Sequence, residues 1–179
     1  MWKLKKPKPA KLIMGVLAAD DNALHAAMNA IIARFGRTDI VSDIWPFKHT
    51  DYYQDQTGDN ILKQFASFEK LISPGKLADI KLATNRIEQR LAKKLALDVN
   101  RPVNLDPGII EPSKLILATT KDFSHRIYIG KKMYAEVTLL YQKGVWRSFE
   151  YTFPDHKEQC YHDFFTKVRT KLMEQLKAR

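Results

Sequence analysis

A short apolar run near the start of the chain, KLIMGVLAA at 11–19, constrains the fold more than any other stretch. Its residues do not alternate between apolar and polar, which is typical of a strand buried on both faces. Asp20, Asp21 and Asn22 then offer N-caps, and apolar residues recur at helical spacing over 23–35 until Gly36. A second strand is predicted over 39–47. We therefore expect an opening β-α-β unit, although the sequence does not show whether its two strands are neighbours.

Four further helices are predicted along the chain. Apolar residues over about 61–71 have helical spacing, and a longer helix is predicted from Ser73, as its N-cap, to about residue 97. Pro112 is expected to open a helix that reaches about residue 120, and a last helix is predicted over about 157–177. These helices alternate irregularly with strands, which favours the α+β class.

Three antiparallel strands, a β-meander, are predicted within 124–153, joined by turns at Gly130 and Gly144. Because strand side chains alternate, the register places Arg126 opposite Glu136. One face of the meander then carries polar and aromatic side chains: Arg126, Tyr128, Tyr134, Glu136, Thr138, Arg147, Phe149 and Tyr151.

Together these elements predict an α+β fold with one mixed β-sheet and helices packed on it, in a single domain over 11–179. Residues 1–10 are predicted to form a basic flexible tail, since the first eleven residues contain five lysines and no acid. The chain has a formal net charge of +10. A basic tail can hold an anionic polymer, although a solvated tail that keeps the protein soluble is the simpler interpretation.

The sequence also limits the compartment and the cofactors. No apolar run is long enough to span a membrane, so no membrane partner is expected. Cys160 is the single cysteine, which fits a reducing, cytoplasmic location. Zinc is not predicted, because CxxC and HExxH motifs are absent. A divalent metal held by Asp106, Asp122 or Glu136 is an unspecific expectation, and the cofactor is otherwise unknown.

The stretch VNLDPG at 103–108 is the first candidate site. A short strand over 101–105 places Asn104 and Asp106 on one face, and Pro107-Gly108 fits a type II turn directly after them. Two interpretations remain open. Either Asp106 caps its own turn and Asn104 holds a neighbouring loop, or the two side chains face a ligand.

The stretch TTKDFSHR at 119–126 is the second candidate, because strand ends of this composition build sites in open sheets. His125 is expected to act as a general base or anion donor, or to be an ordinary satisfied histidine. Arg126 is expected to pair with Glu136, which would orient it for an anion. Two weaker candidates also fit ordinary solvated surface. One is a stripe on the predicted long helix, formed by Lys81, Thr84, Asn85 and Glu88. The other is a Tyr-rich loop that contains Thr50, Asp51, Tyr52 and Tyr53.

Several motifs together resemble the prokaryotic domain of unknown function 4416 over about residues 7–155. The matching stretches are WPF at 45–47, TDYY at 50–53, FASFEKLI at 65–72, KLATNRIE at 81–88, VNLDPG at 103–108, KLILATTKDFSHRIYIG at 114–130 and YAEVTL at 134–139. The resemblance implies no activity. Some family members carry a label of GTP-binding protein, but this sequence has no phosphate-binding loop to support it.

The resemblance singles out polar residues from four separate segments, whereas a fold by itself demands mainly apolar residues, Gly and Pro. We therefore expect a site for a phosphorylated or nucleotide-like anion. Asp106, His125 and Glu136 are its candidate catalytic groups. The candidate ligand-binding residues are Asp51, Tyr52, Lys81, Asn85, Asn104, Lys121, Asp122, Arg126 and Thr138.

Two other functions fit the same sequence. An RNA-binding module would stack bases on the aromatic and arginine residues of the meander face. A non-enzymatic interaction protein would use the polar network only to fix its fold. The anion site ranks slightly ahead, because carboxylates repel a phosphate backbone but serve catalysis or metal binding.

Overall fold

The structure is a computed structural model, and it describes residues 2–47, 57 and 60–178. Short 3-10 turns at Pro74–Lys76 and Pro154–Lys157 precede two of the helices. In chain order, the strands and helices are β1 (Lys11–Ala18), α1 (Asp21–Phe35), β2 (Thr38–Val41), β3 (Trp45–Pro46), β4 (Leu62–Phe68), α2 (Leu77–Leu95), β5 (Val103–Glu111), β6 (Lys114–Thr119), β7 (Ile127–Gly130), β8 (Met133–Gln142), β9 (Val145–Ser148) and α3 (Gln159–Lys177).

These strands join in one sheet with the order β2-β4-β1-β5-β6-β8-β7, while β3 pairs with β4 and β9 pairs with β8. The predicted α+β class with helices packed on a single sheet is confirmed. Each recorded strand pairing is antiparallel, so the described sheet is antiparallel and not the mixed sheet that the sequence predicts. The reason is topological, because β4 lies between β1 and β2, and β5 and β6 form a hairpin.

Helices cover both faces of the sheet. β1 is buried at every position, as its continuous apolar run predicts. Met14 packs toward α1 and α2, whereas Ile13 packs toward α3. The predicted helices at 23–35 and 157–177 are confirmed, and Asp20 caps α1 by accepting a hydrogen bond from the N–H of Ala23 at 2.7 Å. No helix in the described ranges is both long and apolar enough to cross a membrane.

The helix predicted over 61–71 is wrong, because Leu62–Phe68 is strand β4. Both of its faces are buried: Phe65 packs toward α3, and Ala66 and Phe68 pack toward α1. A strand with two apolar faces lacks the strict alternation that separates a strand from a helix in sequence. The predicted strand over 39–47 is likewise two shorter strands, β2 and β3.

The type II turn predicted at Pro107-Gly108 is also wrong, because β5 continues straight through it. Pro107 stands one residue before the β5–β6 ladder begins at Gly108, so its missing N–H interrupts no bond to β6. Gly108 is required for space rather than for a turn. A Cβ atom there would lie 2.6 Å from Leu117 Cδ2 and 2.7 Å from the carbonyl oxygen of Ile116.

The chain reverses instead at Pro112-Ser113, where a helix was predicted. This pair forms the tight turn between β5 and β6, and the residues that follow it extend as β6. Pro112 therefore marks a hairpin turn, a position that suits proline as well as a helix start does. The predicted helix over 112–120 is wrong for this reason.

The two C-terminal hairpins are confirmed. Lys143 and Gly144 both have positive φ angles, as a type I′ turn requires, and Arg126 lies beside Glu136. β6 occupies one edge of β8 almost throughout, so β7 and β9 share the other edge, one at each end. The predicted three-stranded meander is therefore wrong, because in a meander β8 would lie between β7 and β9. Ile127 is 71% exposed because it pairs at this shared outer edge.

Candidate functional site

A cavity of about 520 Å³ lies where the ends of β1, β4, β5 and β6 meet β8, α2 and the turn before α3. Its size is typical of small-molecule sites. Charged side chains dominate its polar lining. Five are cationic (Lys63, Lys81, Arg101, Lys121 and Arg126) and three are carboxylates (Asp106, Glu136 and Asp155).

Asn104 and Asp106 stand side by side on β5, as the alternation of strand side chains predicts. Asn104 Nδ2 donates to Asp106 Oδ2 at 2.7 Å. Lys81 reaches across from α2, donates to the carbonyl of Leu105 at 2.7 Å, and lies 3.6 Å from Asp106 Oδ1. Burial alone would raise the pKa of Asp106, but the charges of Lys81, Lys63 and Arg101, with the hydrogen bond from Asn104, hold that pKa below its ordinary value. Asp106 is therefore a carboxylate at neutral pH.

Glu88 anchors the start of β5 to α2 and is buried. Its Oε2 accepts from Arg101 Nε at 3.1 Å and from an Arg101 terminal nitrogen at 2.7 Å. Its Oε1 accepts from the backbone N–H of Leu105 at 2.9 Å. Because both oxygens are used, Glu88 fixes the Arg101 guanidinium at the cavity and the β5 backbone at once.

Glu136 forms a second anchor, on β8. Arg126 Nε donates to Glu136 Oε2 at 2.9 Å, and His125 Nε2 lies 3.2 Å from the same oxygen. Thr138 donates its hydroxyl hydrogen to Oε1 at 3.1 Å. The predicted pairing of Arg126 with Glu136 is confirmed. The ring of His125 stacks on Tyr151 with centroids 4.0 Å apart, which holds the imidazole against the carboxylate.

Four charged or titratable lining residues are not among the candidates that the sequence predicts: Lys63, Arg101, Asp155 and His156. Lys63 is buried, lies 3.6 Å from Asp155, and has the ring of Phe65 5.0 Å from its ammonium group. His156 Nδ1 lies 3.0 Å from Asp155, while its buried Nε2 has no hydrogen-bond partner within the described ranges. The helix that the sequence predicts over 61–71 places Lys63 on a solvated face. The adjacent acid and imidazole of 155–156 were the only sequence signal for Asp155 and His156.

The predicted site residues divide into four groups. Those that line the cavity are Lys81, Asn104, Asp106, Lys121, Arg126 and Glu136. His125 and Thr138 contact Glu136 but are not part of the lining. Asn85 and Asp122 do not line it either. Asp51 and Tyr52 lie outside the described residues, together with the rest of the Tyr-rich loop.

The structure does not support the metal expectation in the part of the chain that it describes. No group of three or more His, Cys, Asp and Glu side chains is arranged there to hold a metal ion. Asp106 and Glu136 pair instead with Lys81 and Arg126. Carboxylates that already neutralise cations are poor candidates for a shared metal.

Comparison with known proteins gives one match. The family described as a domain of unknown function (DUF4416) matches residues 8–172, nearly the whole chain. No curated protein and no solved structure matches. The resemblance drawn from the sequence motifs is thereby confirmed, and the chain belongs to the DUF4416 family.

Proposed function

We propose that the cavity binds a small phosphorylated or nucleotide-like anion. The observation that carries this proposal is the charge of the lining. Five cationic side chains face three carboxylates of the lining, and Glu88 behind it pairs with Arg101, which leaves an excess of one positive charge. Electrostatic attraction is stronger in such a partly enclosed space than on open surface, because the effective dielectric constant is lower.

The arginines are held in place before any ligand arrives. Glu136 orients Arg126, and Glu88 orients Arg101. A guanidinium fixed by one carboxylate loses less side-chain entropy when it binds an anion than a mobile one does. This preorganisation favours a specific small ligand over a loose counterion.

Aromatic side chains support the nucleotide-like part of the proposal. Phe47 and Phe153 both line the cavity, and Phe153 is 47% exposed. Flat apolar rings beside a cationic region suit a ligand with an apolar, planar part and an anionic part. A sugar phosphate would use only the cationic part.

The geometry favours binding over catalysis. Glu136 accepts hydrogen bonds at both oxygens, and the lowered pKa of Asp106 makes it a weak proton acceptor at neutral pH. His125 contacts Glu136 rather than the cavity. The catalytic roles of these three residues stay predictions. The alternative RNA-binding face has fewer aromatic rings available for base stacking than the sequence predicts. Phe149 and Tyr151 stack on each other, with their ring centroids 4.9 Å apart.

A thermal-shift series tests the proposal. Inorganic phosphate, sugar phosphates and nucleoside mono-, di- and triphosphates are compared with their unphosphorylated counterparts. A ligand at a hundred times its Kd stabilises the folded state by about 2.7 kcal/mol. We expect a phosphorylated compound to raise the Tm of the wild type while its unphosphorylated counterpart does not.

Two variants locate the binding. Lys121→Gln removes an exposed cation at the cavity, and Lys167→Gln removes one exposed cation on α3. The Tm rise should shrink in Lys121→Gln and persist in Lys167→Gln. Equal rises in both variants, or no rise with any phosphorylated compound, would overturn the proposal.

A further inference from the structure

A second concave surface lies between α1 and α2 and shares no residue with the cavity. We call it the helix groove. It has a volume of about 500 Å³. Its lining is Arg34 from α1 with Ala83, Arg86, Gln89, Arg90 and Lys93 from α2.

Among the residues that the structure describes, the helix groove carries four cationic side chains and no carboxylate. None of the four forms an ion pair with a carboxylate anywhere in the described ranges, and the nearest acid on α2, Glu88, is buried and turned to Arg101. Arg90 has like charges at all three helical neighbours that are charged, Arg86 four residues before it and Lys93 and Lys94 after it. Like charges at this spacing destabilise a helix. An uncompensated cluster of this kind fits a surface that an anionic partner covers.

We propose that the helix groove binds the phosphodiester backbone of a nucleic-acid duplex. Arg86, Arg90 and Lys93 lie on one side of α2, with a rise of about 6 Å and then about 4.5 Å between successive residues. A row of cations matches a row of phosphates better than it matches one small anion. Duplex DNA presents one negative charge for about every 1.7 Å of its axis.

The uncharged residues of the lining favour a duplex over a single strand or a lipid surface. Ala83 and Gln89 are the other lining residues in the described part of the chain, and neither has an aromatic ring on which an unpaired base could stack. It also lacks the large apolar side chains that a membrane-surface helix inserts between lipids. Contacts to the backbone alone suit a duplex, whose bases are hidden and whose phosphates are outside.

Fluorescence anisotropy with a labelled DNA duplex of about 20 base pairs tests this inference, at about 50 mM and about 200 mM salt. The test variant is Arg86→Gln, Arg90→Gln, Lys93→Gln. The control is Lys132→Gln, Lys143→Gln, Lys167→Gln, which removes the same charge from exposed positions elsewhere. Each phosphate contact makes the slope of log K against log salt more negative by about 0.9. We therefore expect the slope of the groove variant to be shallower than that of the wild type by about 2 to 3.

The control variant should keep the slope of the wild type within about one unit. Equal losses in the two triple variants would assign the binding to net charge and overturn the inference. Absence of duplex binding in the wild type, tighter binding of the single strand, or binding only to vesicles of anionic lipid would also overturn it. Circular dichroism is used to check that each variant is folded. Arg90→Gln alone provides a milder variant, for which we expect a smaller loss in the same direction.

Discussion

The cavity and the helix groove carry positive charge in opposite ways. In the cavity, cations stand beside buried carboxylates, as Arg126 does with Glu136. In the groove, Arg86 and Arg90 are exposed and no acid of the described ranges compensates them. Paired and buried charge fixes the position of a binding group, whereas unpaired surface charge gives attraction that salt screens. The two regions should therefore differ in stability, in pH response and in salt response.

The largest expected effect comes from removing an anchor beneath the cavity. Glu88→Ala leaves the buried N–H of Leu105 without its acceptor. It also removes the carboxylate partner of Arg101, whose side chain is 34% exposed, and of the buried Lys81, 4.0 Å away. Breaking a buried ion pair from one side costs about 3–5 kcal/mol. Urea denaturation should show a loss in the free energy of unfolding of that order.

A surface ion pair gives the matched control for Glu88. Arg37 and Glu69 lie 3.7 Å apart with side chains 85% and 50% exposed. Glu69→Ala should cost less than about 1 kcal/mol. Similar losses in Glu88→Ala and Glu69→Ala would contradict the view that buried pairing holds the cavity together.

A smaller effect is expected from the packing behind the cavity wall. Gly108→Ala places a methyl group against Leu117, which lines the cavity, and against the backbone oxygen of Ile116. Overpacking of this kind costs about 1–3 kcal/mol. Gly75→Ala is the control, because the nearest atom to its new Cβ is Ser73 Oγ at 3.8 Å. If both glycine variants keep the unfolding free energy of the wild type, Gly108 is not packed tightly against Leu117 and Ile116.

The two regions should also differ in how the free energy of unfolding depends on pH. The pKa of Asp106 is lower in the folded protein than its ordinary value, so the folded state binds fewer protons there. Its contribution to stability is present above the unfolded pKa, about 3.9, and is lost as pH falls through the folded pKa. The gap in unfolding free energy between the wild type and Asp106→Asn should therefore narrow between about pH 5 and pH 2. A gap that stays constant over this range would show that the pairing with Lys81 has no electrostatic part.

Sequence patterns predicted the polar cluster better than the strands that carry it. Asn104 and Asp106 share a face, and Arg126 meets Glu136, because both follow from the alternation of strand side chains. Lys81 joins them from the helical stripe that was also predicted. What brings these segments together is the position of α2 over β5, which no local pattern specifies.

The errors have a common physical cause. β4 and β5 are buried on both faces, so their apolar residues follow neither a strand period nor a helix period clearly. Local sequence patterns predict a turn at Pro107-Gly108 and a helix start at Pro112, because these residue types most often occur there. Which proline ends a strand depends on where β6 begins to pair, and that is a long-range contact.

The smallest predicted effect tests the groove side of the comparison. Arg90→Gln should raise the free energy of unfolding by about 0.2–0.5 kcal/mol for each like-charge pair that it relieves. Arg and Gln have similar helix propensities, so the change isolates the charge. Lys167→Gln on α3 is the control, because Asp163 and Lys171 lie four residues to either side and nearly cancel. The gain should vanish at about 1 M salt, where the Debye length falls to about 3 Å. A loss of stability in Arg90→Gln at low salt would mean that the groove charges are compensated in the free protein, and the contrast with the cavity would no longer hold.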